Sequence, residues 1–297
     1  MKYRFRRLLL GVSMLYATTP GCAPVHYASK ETRSLVGQTK LSRKLHALAA
    51  NTTITVAHRG DSGDFPENCL PAFQSAVSKA AEMVELDFHQ TADKQLVCIH
   101  DATLDRTTDS RQRLGKNKIR VASLSMSQLQ ELDAGAWKHQ KFTGTRIPTL
   151  KDALLTIQAS SVTMIEHKAG DAKTLVTLLR QLNLIHDVLV QSFHWSFLEQ
   201  VHALEPQITL AALGGSQKYP TPTGEALEQL QRTHSAMVHW SFKRLTKEHV
   251  TELHKRGYLV CVYTLDRTED FEKAILMGVD AITTNRPSRL RRLLTQR

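Results

Sequence analysis

Within the stretch from Ala57 to Asp109 the chain carries His58, Arg59, Gly60 and Gly63, an alternating acidic pair (Glu85, Asp87), and a second histidine, His100, followed by Asp101. Glu85 and Asp87 are two apart in a strand-like run, so both side chains leave one face while Val84, Leu86 and Phe88 leave the other. Two neighbouring carboxylates repel, and no lysine or arginine stands beside them on that run. A solvated strand face or a bound cation resolves this, and the cost of burying unpaired charge favours the cation. A third carboxylate, Glu166, shares a face with Lys168 in Met164-Ile165-Glu166-His167-Lys168. Three oxygen donors and no sulfur select a hard ion, Mg²⁺ or Ca²⁺, over zinc. His58 ends an apolar run and is followed by an arginine and a glycine that admits a ligand to the backbone, which reads as an acid/base group beside an anion. His100 is placed alike. Together these residues are equipped to break an anionic ester such as a phosphodiester. The chain has fourteen histidines, and His139, His186, His202, His234, His239, His249 and His254 read as surface or packing residues; His194, just past a strand end, is left undecided.

The elements that must position these groups follow from the apolar pattern. Strands are expected at Thr53–Ala57, Met83–His89, Val162–His167, Val188–Phe193, Ile208–Leu213, Ala236–Trp240, Tyr258–Thr264 and Asp280–Thr283, and helical spacing fills most gaps between them. Eight strands alternating with helices predict an α/β fold, a (β/α)₈ TIM barrel, with the site at the C-terminal ends of the strands. Leu96–His100 follows the second strand after only six residues. A parallel crossover takes about a dozen, so this is a hairpin turning near Ala92-Asp93-Lys94 that folds His100 back toward Asp87. Residues 91–148 are thus an insertion after the second barrel strand, with helical periodicity only over Leu124–Leu132.

The succession HRG (58–60), PEN (66–68), ExD (85–87), HDxxLxRTT (100–108), IPTL (147–150), ExK (166–168), QSF (191–193) and GVDAITTNRP (278–287) resembles the glycerophosphodiester phosphodiesterase family from Thr53 onward. The resemblance implies hydrolysis of glycerophosphodiesters to sn-glycerol 3-phosphate and an alcohol. It implies one divalent cation on Glu85, Asp87 and Glu166, with His58 and His100 as acid and base. Arg59 and Lys168 would contact the phosphate, Glu67 would support the loop, and Tyr263 would line the pocket for the glycerol or the departing alcohol. Cys69 and Tyr263 stand where the family commonly has threonine and tryptophan. Two alternatives stay open: a phospholipase D-type enzyme acting on lysophospholipids or sphingolipids, and a non-catalytic barrel that binds a phosphorylated ligand. The attacking group, a glycerol hydroxyl or a water, and the oligomeric state are open too.

The formal charge of +11 belongs mostly to the ends: residues 1–21 contribute +4, 22–48 another +4 and the last twelve +5, leaving 49–285 near −2. Nucleic-acid binders concentrate positive charge on a domain face, so nucleic acid is excluded as a partner. Lys2–Arg7 followed by the apolar run Leu8–Ala17 reads as an export signal over 1–21, too short to cross a bilayer. Cys22 fits either a lipoprotein anchor or an ordinary cleaved signal, and both readings export the protein, to the periplasm or to a membrane surface. Residues 22–50, with a short helix at 41–48, read as a tether and lead-in to the barrel domain at 51–297. Cys69, Cys98 and Cys261 are odd in number and widely spaced, which suits buried apolar packing rather than a disulfide framework.

Overall fold

Apolar residues run nearly unbroken through the predicted strands, the pattern of parallel strands buried on both faces. In the computed structural model, which describes residues 39–296, every one of them forms. They are β1 (Ile54–Ala57), β2 (Met83–Gln90), β3 (Leu96–Cys98), β4 (Val162–His167), β5 (Val188–Ser192), β6 (Thr209–Gly214), β7 (Met237–Ser241), β8 (Leu259–Tyr263) and β9 (Ala281–Thr284). All except β3 pair in parallel, and β1 pairs with both β9 and β2, which closes an eight-stranded barrel. The export signal, Cys22 and the lead-in up to residue 38 lie outside the described residues. Among the described residues no helix is long and apolar enough to cross a membrane.

Helices Leu70–Ser78, Leu150–Ile157, Ala172–Gln181, Glu225–Arg232, Lys247–Lys255 and Thr268–Met277 lie where the spacing puts them. Outward residues of the strands, such as Val84, Leu86, Ile165 and Val190, pack against them in the main core. Helix Trp195–Leu204 escapes the sequence pattern. Its Trp, Phe, Val and His have modest helix propensity, and burial of Trp195, Leu198 and Val201 outweighs that.

The inward face of the barrel changes character with height. Its lower layer is apolar, with Val56, Met83, Met164, Leu189, Met237 and Leu259. The floor is closed by helix Lys40–Ala49, whose Leu41 and Leu45, four residues apart on one face, are buried in that layer. Thr39 caps this helix and its hydroxyl meets that of Thr209 on β6. Residues 40–49, read from the sequence as the end of the lead-in, thus close the barrel floor, because a two-leucine stripe has a hole to fill. Leu45→Ala should cost about 2–5 kcal/mol in urea unfolding and leave KM unchanged, since the floor lies at the opposite end from the site.

The basic C-terminal segment forms helix Pro287–Thr295 and is tied to the barrel: Arg289 Nη1 donates to the Asp266 carbonyl at 2.8 Å and Arg291 pairs with Glu82. Between β3 and β4 the insertion builds a small core of its own from Leu104, Val121, Leu129, Leu132 and Ile147, packed on Val97 and Ile99. Cys69, Cys98 and Cys261 are all buried and unpaired.

Candidate active site

The β2–β4 register sets Asp87 beside Glu166, so Glu85, Asp87 and Glu166 point together into the upper barrel. All three are buried, and one carboxylate oxygen of each lies within 4.8 Å of the others. The solvated-face reading of this strand is thereby excluded. Glu85 Oε1 is buried without a hydrogen-bond partner, and Asp87 Oδ1 has only its ion pair with Lys168 at 3.2 Å. Buried carboxyl oxygens left open in this way are what a hard cation with oxygen ligands would take up. Burial, then repulsion from Asp87 and Glu166, holds the Glu85 carboxyl well above the usual range; burial, then Asp87, lifts Glu166 to about 7. Burial would raise Asp87 as well, but Lys168 and Arg59 outweigh it and bring that carboxyl down to about 2.

Two arms reach this cluster from one edge of β2. β4 occupies the other edge along its length. β1 covers the β1-side edge only at Met83 and Val84, and β3 takes over at Phe88–Gln90. The residues that leave the ends of β1 and β3, His58 and His100, are therefore delivered to the same gap above the carboxylates. Antiparallel pairing also brings the Ile99 N–H to the Asp87 carbonyl at 3.2 Å, as the short turn predicts.

In the β1 arm, His58 Nδ1 is 2.7 Å from Asn285 Oδ1. The Asn285 amide nitrogen donates to Asp266 at 2.7 Å, which turns its oxygen toward His58. Nδ1 must then carry the proton, and Nε2 keeps its lone pair. Burial, then Arg59, lowers this imidazole to about 4. Arg59 sits in the left-handed region at φ 54°, which aims its backbone N–H at Glu85 Oε2, 2.9 Å away, while its guanidinium reaches Asp87 at 3.2 Å and Glu67 at 2.8 Å. Gly60 does not serve ligand approach as expected: a Cβ there would lie 2.7 Å from the Ala72 backbone, so the glycine lets the loop pack on helix Leu70–Ser78. Gly63 likewise meets the Asn285 carbonyl, to which its N–H donates at 2.8 Å. Asn68 clamps Asp87 twice, donating from Nδ2 at 2.8 Å and accepting its backbone N–H at 3.0 Å.

In the β3 arm, His100 Nδ1 is 2.7 Å from Asp101 Oδ1. The carboxylate is acceptor-only, because the Arg106 guanidinium that binds it from Nε at 2.7 Å holds it far below the usual range. His100, too, is left with a bare Nε2, and burial lowers its pKa. Arg106 also grips Glu67 through two N–H groups at 2.8 and 2.9 Å and so ties the two arms together. Burial of Glu67 is outweighed by Arg106 and Arg59, which keep it ionised and occupied, so its role is to brace the two guanidinium groups. Asp101→Ala should lower kcat about 10-fold to 100-fold by losing the acceptor that orders the ring, with KM little changed; steady-state kinetics checks both.

Lys168 stands where the shared face predicts, against Glu166 and 3.2 Å from Asp87. Tyr263 ends β8 across the mouth, its ring edge-on to Phe193 at 6.2 Å. The phenol donates to the Gly214 carbonyl at 2.6 Å, so this residue offers a ligand its ring and not a hydroxyl. His239 packs in the barrel, bonded to Gln191 at 2.7 Å and Thr283 at 2.9 Å, and His194 lies exposed ahead of helix Trp195–Leu204. Cys69 precedes helix Leu70–Ser78 without capping it, its thiol turned to the Ala134 carbonyl instead. Sequence reasoning missed Asn68, Asp101, Arg106, Asp266 and Asn285 as partners of the catalytic groups. All but Asp266 lie inside the quoted motifs, so the signal was present without the pairing.

The arrangement offers two imidazoles with free Nε2 atoms over a cation-ready carboxylate cluster, flanked by a guanidinium and an ammonium: equipment for acid/base cleavage of an anionic ester. The family model described as the glycerophosphoryl diester phosphodiesterase family matches residues 58–289. A glycerophosphodiester phosphodiesterase of Caldanaerobacter subterraneus is 32% identical over 247 residues, which cover 80% of this chain and 96% of that protein. One of Bacillus subtilis is 28% identical, covering 85% and 90%. Among solved structures, an Oleispira antarctica phosphodiesterase in complex with the product sn-glycerol-3-phosphate superposes with a TM-score of 0.74 at 25% identity, covering 84% of this chain and 99% of that one.

Proposed function

The chain belongs to the glycerophosphoryl diester phosphodiesterase family, and on that premise we propose that it cleaves glycerophosphodiesters to sn-glycerol 3-phosphate and an alcohol with a divalent cation and two histidines. One observation carries the chemical part: His58 and His100 both have Nδ1 tied to an oriented acceptor, and both sense the charge of Asp87. Glu85, Asp87 and Glu166 are the residues that would hold Ca²⁺ or Mg²⁺, which when bound supplies charge neutralisation at the phosphoryl oxygens. Arg59 and Lys168 add positive charge beside the same centre, where negative charge grows as the attacking oxygen adds.

One imidazole accepts at Nε2 the proton of the attacking hydroxyl, from the substrate's glycerol or from water, and the other protonates the departing alkoxide from Nε2. Both rings titrate below their ordinary value, so both begin neutral at pH 7. An anion held between them raises their proton affinity, and the acid acquires its proton as substrate binds.

We propose further that residues 1–21 direct export and that Cys22 carries a lipid; detergent partitioning of Cys22→Ser against the parent protein tests the anchor. For the activity, the purified protein is given glycerophosphoglycerol, glycerophosphocholine and lysophosphatidylcholine with Mg²⁺ and then Ca²⁺; sn-glycerol 3-phosphate is measured with the first two and released choline with the third. Release from a glycerophosphodiester is expected. Cleavage of the lysolipid alone would move the protein to the phospholipase D-type reading, and no product from any of them would sink both.

A further inference from the structure

Beside His58 the mouth continues into a groove of about 330 Å³, bounded by Ser62 on the loop after β1, by Asp266 and Arg286 beside β9, and by Trp137 and Lys138 of the insertion. Trp137 is 39% exposed, and its indole N–H donates to the Ala134 carbonyl at 2.9 Å, which fixes the ring. The turn that presents it is rigid: Asp133 accepts the N–H groups of Gly135 at 2.8 Å and Ala136 at 2.7 Å. Lys138 Nζ donates to the Ser62 carbonyl at 2.7 Å, a neutral acceptor, and no carboxylate pairs with it among the described residues. Both of the groove's own carboxylates are held by hydrogen bonds, Glu67 to cations and Asp266 to neutral donors. Asp266 receives the Thr284 hydroxyl and both N–H groups of Asn285, and Glu67 receives Arg59 and Arg106. Arg286 has an exposed partner in Asp64 at 3.1 Å. The lining sets Arg59, Lys138 and Arg286 against Glu67 and Asp266, so a preformed aromatic face borders a net positive charge.

We infer that this groove receives the alcohol half of the diester and that Trp137 and Lys138 make it select a polyhydroxy alcohol over a quaternary ammonium alcohol. The inference rests on the phosphodiesterase reading of the adjoining site. The phosphate has to reach both bare Nε2 atoms and the carboxylate cluster, so a substituent on the His58 side continues into this groove. Toward β5 and β8 stand the rings of Phe193 and Tyr263, which form an edge-on pair. A polyol lays its C–H faces on the indole and offers hydroxyl oxygens to the Lys138 ammonium. A quaternary ammonium has an attraction to an indole face, but it meets Lys138 in a lining whose cations outnumber its carboxylates.

The test compares kcat/KM of the purified protein for glycerophosphoinositol, glycerophosphoglycerol and glycerophosphocholine under one divalent cation. The two polyol esters should be favoured by about fivefold over the choline ester, the scale of one partly exposed charge. Lys138→Glu should reverse that preference through KM with kcat held, Lys138→Arg should keep it, and Trp137→Ala should raise KM for the polyol esters more than for the choline ester. Thermal melts followed by circular dichroism confirm folding. If Lys138→Glu does not fold, the Lys138→Arg and Trp137→Ala ratios decide. A wild-type preference for the choline ester, or ratios that stay within about twofold in the variants, overturns the inference alone. No hydrolysis of any of the three sinks the activity reading and the inference with it.

Discussion

His58→Ala and His100→Ala are each expected to lower kcat by about 10²-fold to 10⁴-fold, the range of a positioned acid or base. Neither change should unfold the protein. The backbone N–H of His58 bonds the Thr284 carbonyl at 2.9 Å and the His100 carbonyl accepts His89 Nε2 at 3.1 Å, and alanine preserves both. What alanine removes is an imidazole whose inner nitrogen is tethered and whose outer nitrogen faces the reacting atoms. In the proposed scheme the two rings serve one reaction as a unit, so the double variant should lose little more than the worse single one. Kinetics with a glycerophosphodiester, paired with urea unfolding of each variant, tests this. A folded single variant that keeps more than about a tenth of wild-type turnover contradicts the two-imidazole scheme.

The second large effect concerns the carboxylates. Chelation by EDTA should abolish activity, and Ca²⁺ or Mg²⁺ should restore it; Glu85→Gln or Asp87→Asn should lose activity that excess cation does not recover. Stability gives an independent readout. Glu166 is raised from 4.5 to about 7 and Glu85 moves in the same direction. A carboxyl whose folded value exceeds its unfolded value contributes stability that is complete below the unfolded value and is lost as pH rises through the folded one. The chelated protein should therefore melt lower at pH 8 than at pH 5, with the decline falling between about 4.5 and about 7. Asp87 acts oppositely but in another window, losing its contribution as pH falls below its ordinary value toward about 2. Added cation should remove the alkaline decline, and at about a hundredfold over Kd it should stabilise by about 2.7 kcal/mol. A melting temperature that ignores both pH and cation would contradict the binding role of the cluster.

The barrel was legible from the sequence because periodicity is a local property. Apolar runs mark strands wherever both faces are buried, and the two-residue spacing of Glu85 and Asp87, or of Glu166 and Lys168, sends both side chains of a pair the same way whatever the rest of the chain does. The six residues between the expected strand Met83–His89 and Leu96 likewise permit only a hairpin, so the return of His100 toward Asp87 was determined before any tertiary contact was known. Where the pattern was weak, tertiary packing decided. Leu41 and Leu45 made a plausible short helix, yet only the shape of the barrel floor turned the end of a lead-in into a plug. Helix Trp195–Leu204 likewise owes its existence to what it buries.

The partners of the catalytic groups lie at the other extreme. His58 and Asn285 are 227 residues apart and meet because β1 closes on β9. Arg106 joins Asp101 to Glu67 across 39 residues because the insertion folds back over the mouth. Residue type and spacing therefore determined which groups can do the chemistry and which strand faces carry them. Tautomer, charge state and the free nitrogen of each imidazole were decided by barrel closure and hairpin register, since a hydrogen bond is set by separation in space, to which separation along the chain is no guide.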